Sequence, residues 1–412
     1  MQTIHSSLRK YSSFLPPQSN PLNIPPNNMP VQVHPPTFDH TKSIEKDIVI
    51  ESLFVHPIKS CRGVSVQEWQ YTEKGLRHDR AFLIIDSNTL KFCTARELPK
   101  MVTIAPTIDL ANNKLEISIP LHDKGKGTVK VSTDLDPSPE TLKGKELIKD
   151  VTLWADKVDG YAVSPEADEA LSLFFDKPVR LVRKGPCRRE AGPDRPVGPH
   201  EGDHETNYQD FYQVLIASRA SLADVREKLL GSLYPGIESQ NSAGEDKSTP
   251  TSYDLPGSVE REYWTPEVAE RLEMERFRPN ICVDSAPGAA EAGRALTPFE
   301  EDGWTALEII DKDSQEVPFG PEAEGKGQGL YCLARCARCQ VPSIDIETGK
   351  RDPHLPYKLL QKWRIVDEGS SRLAKPCFGM LSCFRQKEGT LRVGDRIRVT
   401  RTTDPAARKM TK

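Results

Sequence analysis

From residue 48 to about 185 the chain is cut into short apolar runs separated by turn formers. "DIVIESLFVHPIKS" is densely apolar through Phe54 and Val55, and Pro57 then ends the run, the pattern of a strand reading into a loop. "AFLIIDSNTLKFCTAR" holds two β runs around Ser87-Asn88-Thr89, which predicts a hairpin. "KLEISIPL", "TVKVST" and "DVTLWA" are further strands. One helix interrupts them at "SPEADEALSLFF", with Ser164 as its cap and Pro165 at its first position. The first half is therefore mostly β.

The second half mixes both element types. "SLADVREKLL" opens with the capping pattern Ser221-x-x-Asp224. "TPEVAERLEMERF" opens with Thr265 as cap and Pro266 behind it. "RPNICVDS" reads as a strand after a proline, and "GTLRVGDRIRVT" alternates like one half-buried strand. Between the helices, "YPGIESQNSAGEDKSTPTSYDLPGS" is polar and turn-rich, a surface insertion over about 231–260. Residues 1–47 are rich in Pro and Asn, which predicts a disordered tail. The expected divisions are that tail, a β module over 48–185, a mixed α/β domain over 186–402, and a short tail over 403–412.

A net charge of −4 gives no basic footprint for nucleic acid. No uninterrupted apolar run reaches the ~18 residues that span a bilayer, so the reading is a soluble intracellular protein, cytoplasmic in preference to mitochondrial. Nine cysteines in 412 residues are too sparse for a disulfide scaffold and suit metal or redox roles.

Three of them, Cys332, Cys336 and Cys339, stand in the C-x3-C-x2-C spacing of "YCLARCARCQ". That is the spacing of radical enzymes with an iron–sulfur cluster, but too few residues follow Cys339 to build their barrel. Cys336 and Cys339 could instead join Cys377 and Cys383 around a zinc ion, or the thiols could simply be buried. Cysteine arithmetic leaves the last two readings open. Trp154 and Trp363 read as packing residues, His200 and His204 as members of a solvated loop, and "DIETG" at Asp345–Gly349 as a turn.

Separated motifs decide further. "FVHPIKSCRGVSV", "YTEKGLRHDRAFLIID" and "FCTARE" resemble the MOSC amino-terminal β-barrel module. "RFRPNI", "CARCQVPSIDIETG", "FGM" and "GTLRVGD" then resemble the MOSC domain itself. The resemblance runs from about residue 48 to 400, and in arrangement it is similar to the mitochondrial amidoxime-reducing components. It implies a β-rich α+β fold, with a MOSC N-terminal β-barrel-like module followed by a mixed α/β MOSC β-barrel domain.

It also implies a cofactor, the molybdenum cofactor (Mo-molybdopterin), with Cys339 as the thiolate ligand of molybdenum. A soft thiolate suits a metal already held by dithiolene sulfurs. Cys336 becomes a neighbouring thiol. Lys59 and Ser60 of "PIKS", Arg80 of "HDR", and Arg278 and Asn280 of "RFRPNI" match cofactor-contacting positions, and the backbone of Ala337 and Arg338 is expected along the pterin. Lys and Arg suit its phosphate, and an Asn amide suits a pterin edge. The chain departs from the family in two places. Phe211 and Tyr212 stand where relatives have small hydroxyl residues, with the Tyr212 hydroxyl able to replace one contact. Leu381 and Ser382 stand where relatives have an aromatic hydroxyl.

The implied activity is two-electron reduction of N-hydroxylated compounds at molybdenum. No G-x-G-x-x-G follows a strand and no haem-type C-x-x-C-H is present, so electrons are expected from partners; the resemblance implies that these are cytochrome b5 and NADH-cytochrome b5 reductase. The alternative is a non-redox module that binds or delivers molybdenum cofactor or sulfur.

Overall fold

The computed structural model describes residues 44–192, 204–236, 252–314, 327–367 and 375–404. The expected amino-terminal tail through residue 43, His200, the middle of the expected insertion and residues 405–412 lie outside the described residues.

The first strand, β1 (Ile44–Val55), starts ahead of the expected position and ends two residues before Pro57. β2 (Val64–Val66), β3 (Glu68–Thr72), β4 (Gly75–Leu76) and β5 (Phe82–Asp86) follow. Asp86 Oδ1 accepts from the backbone of Asn88 and Thr89, which closes the expected turn. Its second arm is joined by isolated bridges, Ile85 to Phe92 across the turn and Lys91 to Thr152, and is not an extended strand.

β6 (Ala105–Asp109), β7 (Lys114–Leu121) and β8 (Gly127–Asp134) form an antiparallel meander. Alternation in β7 puts Leu115, Ile117, Ile119 and Leu121 on one buried face. Each such side chain contributes roughly 1.5–3 kcal/mol by leaving water. After α1 (Pro139–Lys143) come β9 (Leu147–Leu153) and β10 (Asp156–Ala162). α2 (Pro165–Phe175) is capped by Ser164, whose hydroxyl accepts from Ala167 N. It buries Ala167, Ala170, Leu171, Phe174 and Phe175, residues at helical spacing, against β7, β8 and β11 (Val179–Lys184). β5, β11, β10 and β9 make a four-stranded sheet in that order.

The second half supplies β12 (Val214–Ser218), α3 (Arg219–Leu233), α4 (Pro266–Glu270), β13 (Ile281–Ser285), β14 (Trp304–Ile310), β15 (Gly329–Ala337), α5 (Tyr357–Leu360), β16 (Cys377–Phe384), β17 (Gly389–Arg392) and β18 (Arg396–Thr402). Three local expectations are corrected. α3 is capped by Ser218, whose hydroxyl accepts from Ser221 N. Ser221 lies inside the helix and gives its own hydroxyl to Glu301. α4 ends at Glu270, and a 3-10 turn over Met274–Phe277 replaces its expected continuation. "GTLRVGDRIRVT" is two strands, because Gly394 turns the chain with φ +94°.

The edges of the expected insertion are also packed. Leu233 and Val259 are both buried in the apolar cluster beneath α3, with Tyr253 and Leu255 laid against it.

Seven strands close a barrel in the order β13-β12-β16-β15-β14-β18-β1, with β1 returning to β13. Only β12 and β13 run parallel, joined by the crossover that carries α3 and α4. The barrel interior is apolar, with Ile50, Leu53, Ile216, Ile281, Val283, Leu307, Leu330 and Met380 fully buried. Tyr71 of β3 stacks on Phe384 at 3.8 Å. The fold is the β-rich α+β arrangement expected, and its first strand is a stave of the barrel built by the second half.

Candidate functional site

One cleft draws its walls from both halves of the sequence. It is lined by Lys59 and Ser60 after β1, Arg80 before β5, Thr94–Arg96, Trp154 in the β9–β10 turn, residues 209–215 leading into β12, Phe277, Arg278 and Asn280 before β13, and Arg335–Cys339 at the end of β15. Its empty space is about 1100 Å³ with the open mouth included, the scale of a cofactor site.

Backbone geometry sets the wall residues. Ser60, Arg80 and Arg278 have φ of +71°, +46° and +59°, left-handed values that cost a non-glycine residue of order 1–3 kcal/mol and cluster at functional sites. β15 is bulged twice on its way to the cysteine motif, between Cys332 and Ala334 and between Arg335 and Ala337. Bulges re-aim the side chains that follow them.

Behind the wall, the fully buried carboxylate of Asp79 is the hub. Its Oδ1 accepts from His56 N at 2.8 Å, and both oxygens accept from Arg80 Nη1, at 2.8 and 2.6 Å. Asn280 fills all four of its amide positions with protein groups. Nδ2 donates to Phe54 O at 3.1 Å and to Asp79 Oδ1 at 3.0 Å, while Oδ1 accepts from Arg80 Nη1 at 3.0 Å and from Leu215 N at 3.2 Å. Asn280 is thus a positioning residue for Arg80, in place of the free amide expected to read a pterin edge. Burial and the charges of Arg80 and Arg278 hold the His56 imidazole neutral, well below its usual range.

Lys59 Nζ donates to Tyr208 O at 2.8 Å and to Asp210 Oδ1. Burial pulls its ammonium down to about 8, against the opposing pull of Asp210. The walls around Asp210 oppose its ionisation, but Lys59 and the 2.9 Å bond from Trp154 Nε1 outweigh them and hold the carboxylate below its usual range. Arg278 Nη1 donates to Cys61 O at 2.6 Å, whereas its buried Nη2 has no acceptor. Burial and the neighbouring Arg80 lower this guanidinium to about 10, still charged at neutral pH.

Arg338 Nη2 donates to Phe277 O at 2.6 Å and Nη1 to Cys336 Sγ at 3.0 Å, and its buried Nε has no acceptor. Its backbone N–H donates to Pro376 O at 2.7 Å, and Ala337 pairs with Cys377, so both backbones are fixed by β16. Cys339 is half-buried just past the strand end. Tyr212 is buried against Ala191, Ala334 and Cys383.

Profiles of two modules match the chain: the MOSC N-terminal beta barrel domain over residues 47–178 and the MOSC domain over residues 257–398. The chain belongs to the MOSC family. Among its relatives, mitochondrial amidoxime reducing component 2 of Rattus norvegicus is 24% identical over 357 residues, which span 84% of this chain and 82% of that protein. The protein of the same name from Homo sapiens is 25% identical over 360 residues with the same shares. Molybdenum cofactor sulfurase of Danio rerio is 26% identical over 318 residues, 76% of this chain but 30% of that longer protein.

In this MOSC chain the donor set suits an anionic cofactor with a soft metal. Lys59, Arg80, Arg278, Arg335 and Arg338 line the inner cleft, where Asp210 is the one acid among the described lining residues. Two buried guanidinium nitrogens await acceptors, and a buried polar group without a partner is costly until a ligand supplies one. Cys339 supplies the thiol.

A four-thiolate zinc site does not fit. Cys377 and Cys383 lie six residues apart along β16, about 20 Å at ~3.3 Å per residue, too far to converge on one ion.

The structure brings together every residue singled out from the sequence for this site: Lys59, Ser60, Arg80, Tyr212, Arg278, Asn280, Ala337, Arg338 and Cys339 all line the cleft. Sequence reasoning missed Asp79, Asp210 and Arg96, although each stands inside or beside a motif already noted. Trp154 packs edge-on against Phe92 at 4.7 Å, as expected, but it also stands 36% exposed on the cleft wall. Trp363 packs as well, stacked on Tyr253 at 5.4 Å.

Proposed function

We propose that this chain binds molybdenum cofactor through Cys339 and reduces N-hydroxylated compounds to the corresponding amidines or amines. The observation that carries the reading is the convergence of Cys339 with Arg278 and Arg338, whose buried nitrogens lack acceptors, in one cleft of a MOSC chain. When bound, the cofactor supplies the two-electron removal of oxygen: an N–OH group with two electrons and two protons becomes N–H and water. The protein holds and orients. Cys339 offers the metal a thiolate, and Arg278, Arg338 and Lys59 with Ser60 face the anionic parts. Arg80 is held in place by Asp79 and Asn280.

The electrons are proposed to come from cytochrome b5 and NADH-cytochrome b5 reductase. Among the described residues no helix is long and apolar enough to cross a membrane. The compartment is proposed as cytoplasmic in preference to mitochondrial, which imaging of the tagged chain decides.

The test is protein made in a host with eukaryotic-type molybdenum cofactor, assayed for molybdenum and pterin and then for NADH oxidation with an amidoxime, both donors present. Turnover that is absent from Cys339→Ser supports the reductase. Bound cofactor without turnover, even with a chemical reductant, supports a carrier of cofactor or sulfur, the reading favoured by the sulfurase match over 318 residues. Protein without cofactor defeats both.

A further inference from the structure

The outer wall of the cleft carries a cation that the cofactor cradle does not use. Arg96 lines the cleft and is exposed. Its guanidinium carbon lies over the Trp154 ring, 4.3 Å from the ring centre, a cation–π contact. Its backbone is pinned: Arg351 Nη2 donates to Ala95 O at 2.9 Å and to Arg96 O at 2.6 Å, and Arg96 N donates to Thr94 Oγ1 at 3.2 Å.

The shelf beneath it is pinned as well. Trp154 Nε1 donates to Asp210 Oδ1, its ring meets Phe92 edge-on at 4.7 Å, and its φ is +56°. Among the described residues the Arg96 guanidinium has no hydrogen-bond or salt-bridge partner, although its charge is felt by Asp210 and Tyr357. The nearby carboxylate of Asp210 is already engaged by Lys59 and Trp154. A guanidinium held over a fixed aromatic ring at a cleft mouth can offer its N–H fork to a planar oxyanion. Phe211, 46% exposed, adds an apolar face at the same mouth.

We infer that Arg96 on Trp154 is the docking site for a carboxylate of the substrate, so that the compound reduced is an N-hydroxylated molecule that also bears a carboxylate. The inference rests on the reductase reading for what happens to that molecule, but the anion site itself is testable without turnover. An oxyanion at this position could belong to the substrate or to the phosphate of the cofactor. Arg278 and Arg338, deeper and with buried nitrogens lacking acceptors, already serve the second.

The experiment uses cofactor-loaded protein, wild type and Arg96→Gln. Benzoate and benzamide are titrated calorimetrically into each, and molybdenum and pterin are assayed in parallel. Wild type should bind benzoate roughly tenfold or more tighter than benzamide, the scale of a charge-assisted hydrogen bond tempered by exposure. The preference should vanish in Arg96→Gln with cofactor content unchanged. Equal benzoate binding by both proteins overturns the proposal. A fall in cofactor content of the variant assigns Arg96 to the cofactor phosphate and overturns it as well.

Turnover is then compared for benzamidoxime and its 4-carboxy derivative. Arg96→Gln should raise KM for the carboxylate compound alone, with kcat kept. Failure of wild type to turn over either compound, with the benzoate preference intact, counts against the reductase reading and leaves the anion site standing.

Discussion

Arg80 Nη1 donates to Asn280 Oδ1 at 3.0 Å across two hundred positions of sequence, and both groups bond the same buried carboxylate, Asp79. That triad ties the turn before β5 to the segment entering β13. Asn280→Ala leaves Asp79, Phe54 O and Leu215 N each short of a partner, and each buried orphan costs about 1–3 kcal/mol. The variant should lose several degrees in its thermal midpoint and retain less cofactor. An unchanged midpoint would remove the triad's structural role.

Arg80 and Arg278 should separate stability from binding. Arg80→Ala leaves the Asp79 charge buried without its ion pair, a loss of about 3–5 kcal/mol. Arg278→Ala gives up one protein hydrogen bond, to Cys61 O, so its fold should lose only about 1 kcal/mol. Its molybdenum occupancy should nevertheless drop, since one charge-assisted contact is worth roughly one to two decades in affinity. Molybdenum occupancy and thermal midpoint, measured on both variants, check the contrast.

Cys339→Ser should abolish reductase activity, because a hydroxyl is a hard substitute for a soft thiolate. Cys336→Ser should be much milder. Burial pushes the Cys336 thiol up, and Arg338 only partly opposes that. Its place is to accept from Arg338 Nη1, which a serine hydroxyl can also do. Equal loss in the two variants would undo the assignment.

Lys59 gives a pH signature. Its ammonium titrates at about 8 in the fold and near 10.5 in the unfolded chain. Between those values the unfolded chain binds the extra proton, so the Lys59 contribution to stability rises with pH there, and its full cost is present below 8. In cofactor-free protein, the stability of Lys59→Met relative to wild type should therefore shrink from neutral pH to about 10.5, by on the order of 3 kcal/mol. A pH-independent difference refutes the lowered value.

Gly379, in the "FGM" of β16, has φ +77°, and a Cβ there would lie 2.6 Å from Ile216 O of the neighbouring strand. Backbone cannot move aside as a flexible side chain can. Gly379→Ala should cost at least about 2 kcal/mol, read by chemical denaturation, and should loosen β12 against β16.

Much of this protein was written locally. The strands of the first half, α2 with its Ser164 cap, the turn at Asp345 and the motifs that carry Lys59, Arg80, Arg278 and Cys339 are patterns of a few adjacent residues. Alternation, capping and turn chemistry act over that range, so sequence alone determined them. Where Gly394 splits one alternating run, or where α4 stops at Glu270, the outcome depended on which sheet or helix each piece had to meet. The closure of β1 onto β13 and β18 has no local signal, because strand pairing is chosen by the partner's exposed edge and by the core that both strands bury. The same holds for Asp79 and Asp210. A carboxylate becomes a hub only when the fold has stripped its water and set Arg80, Asn280 or Lys59 around it, and those partners come from positions far apart in the chain. Tertiary structure decided which charges face the cleft and which are spent holding it in shape.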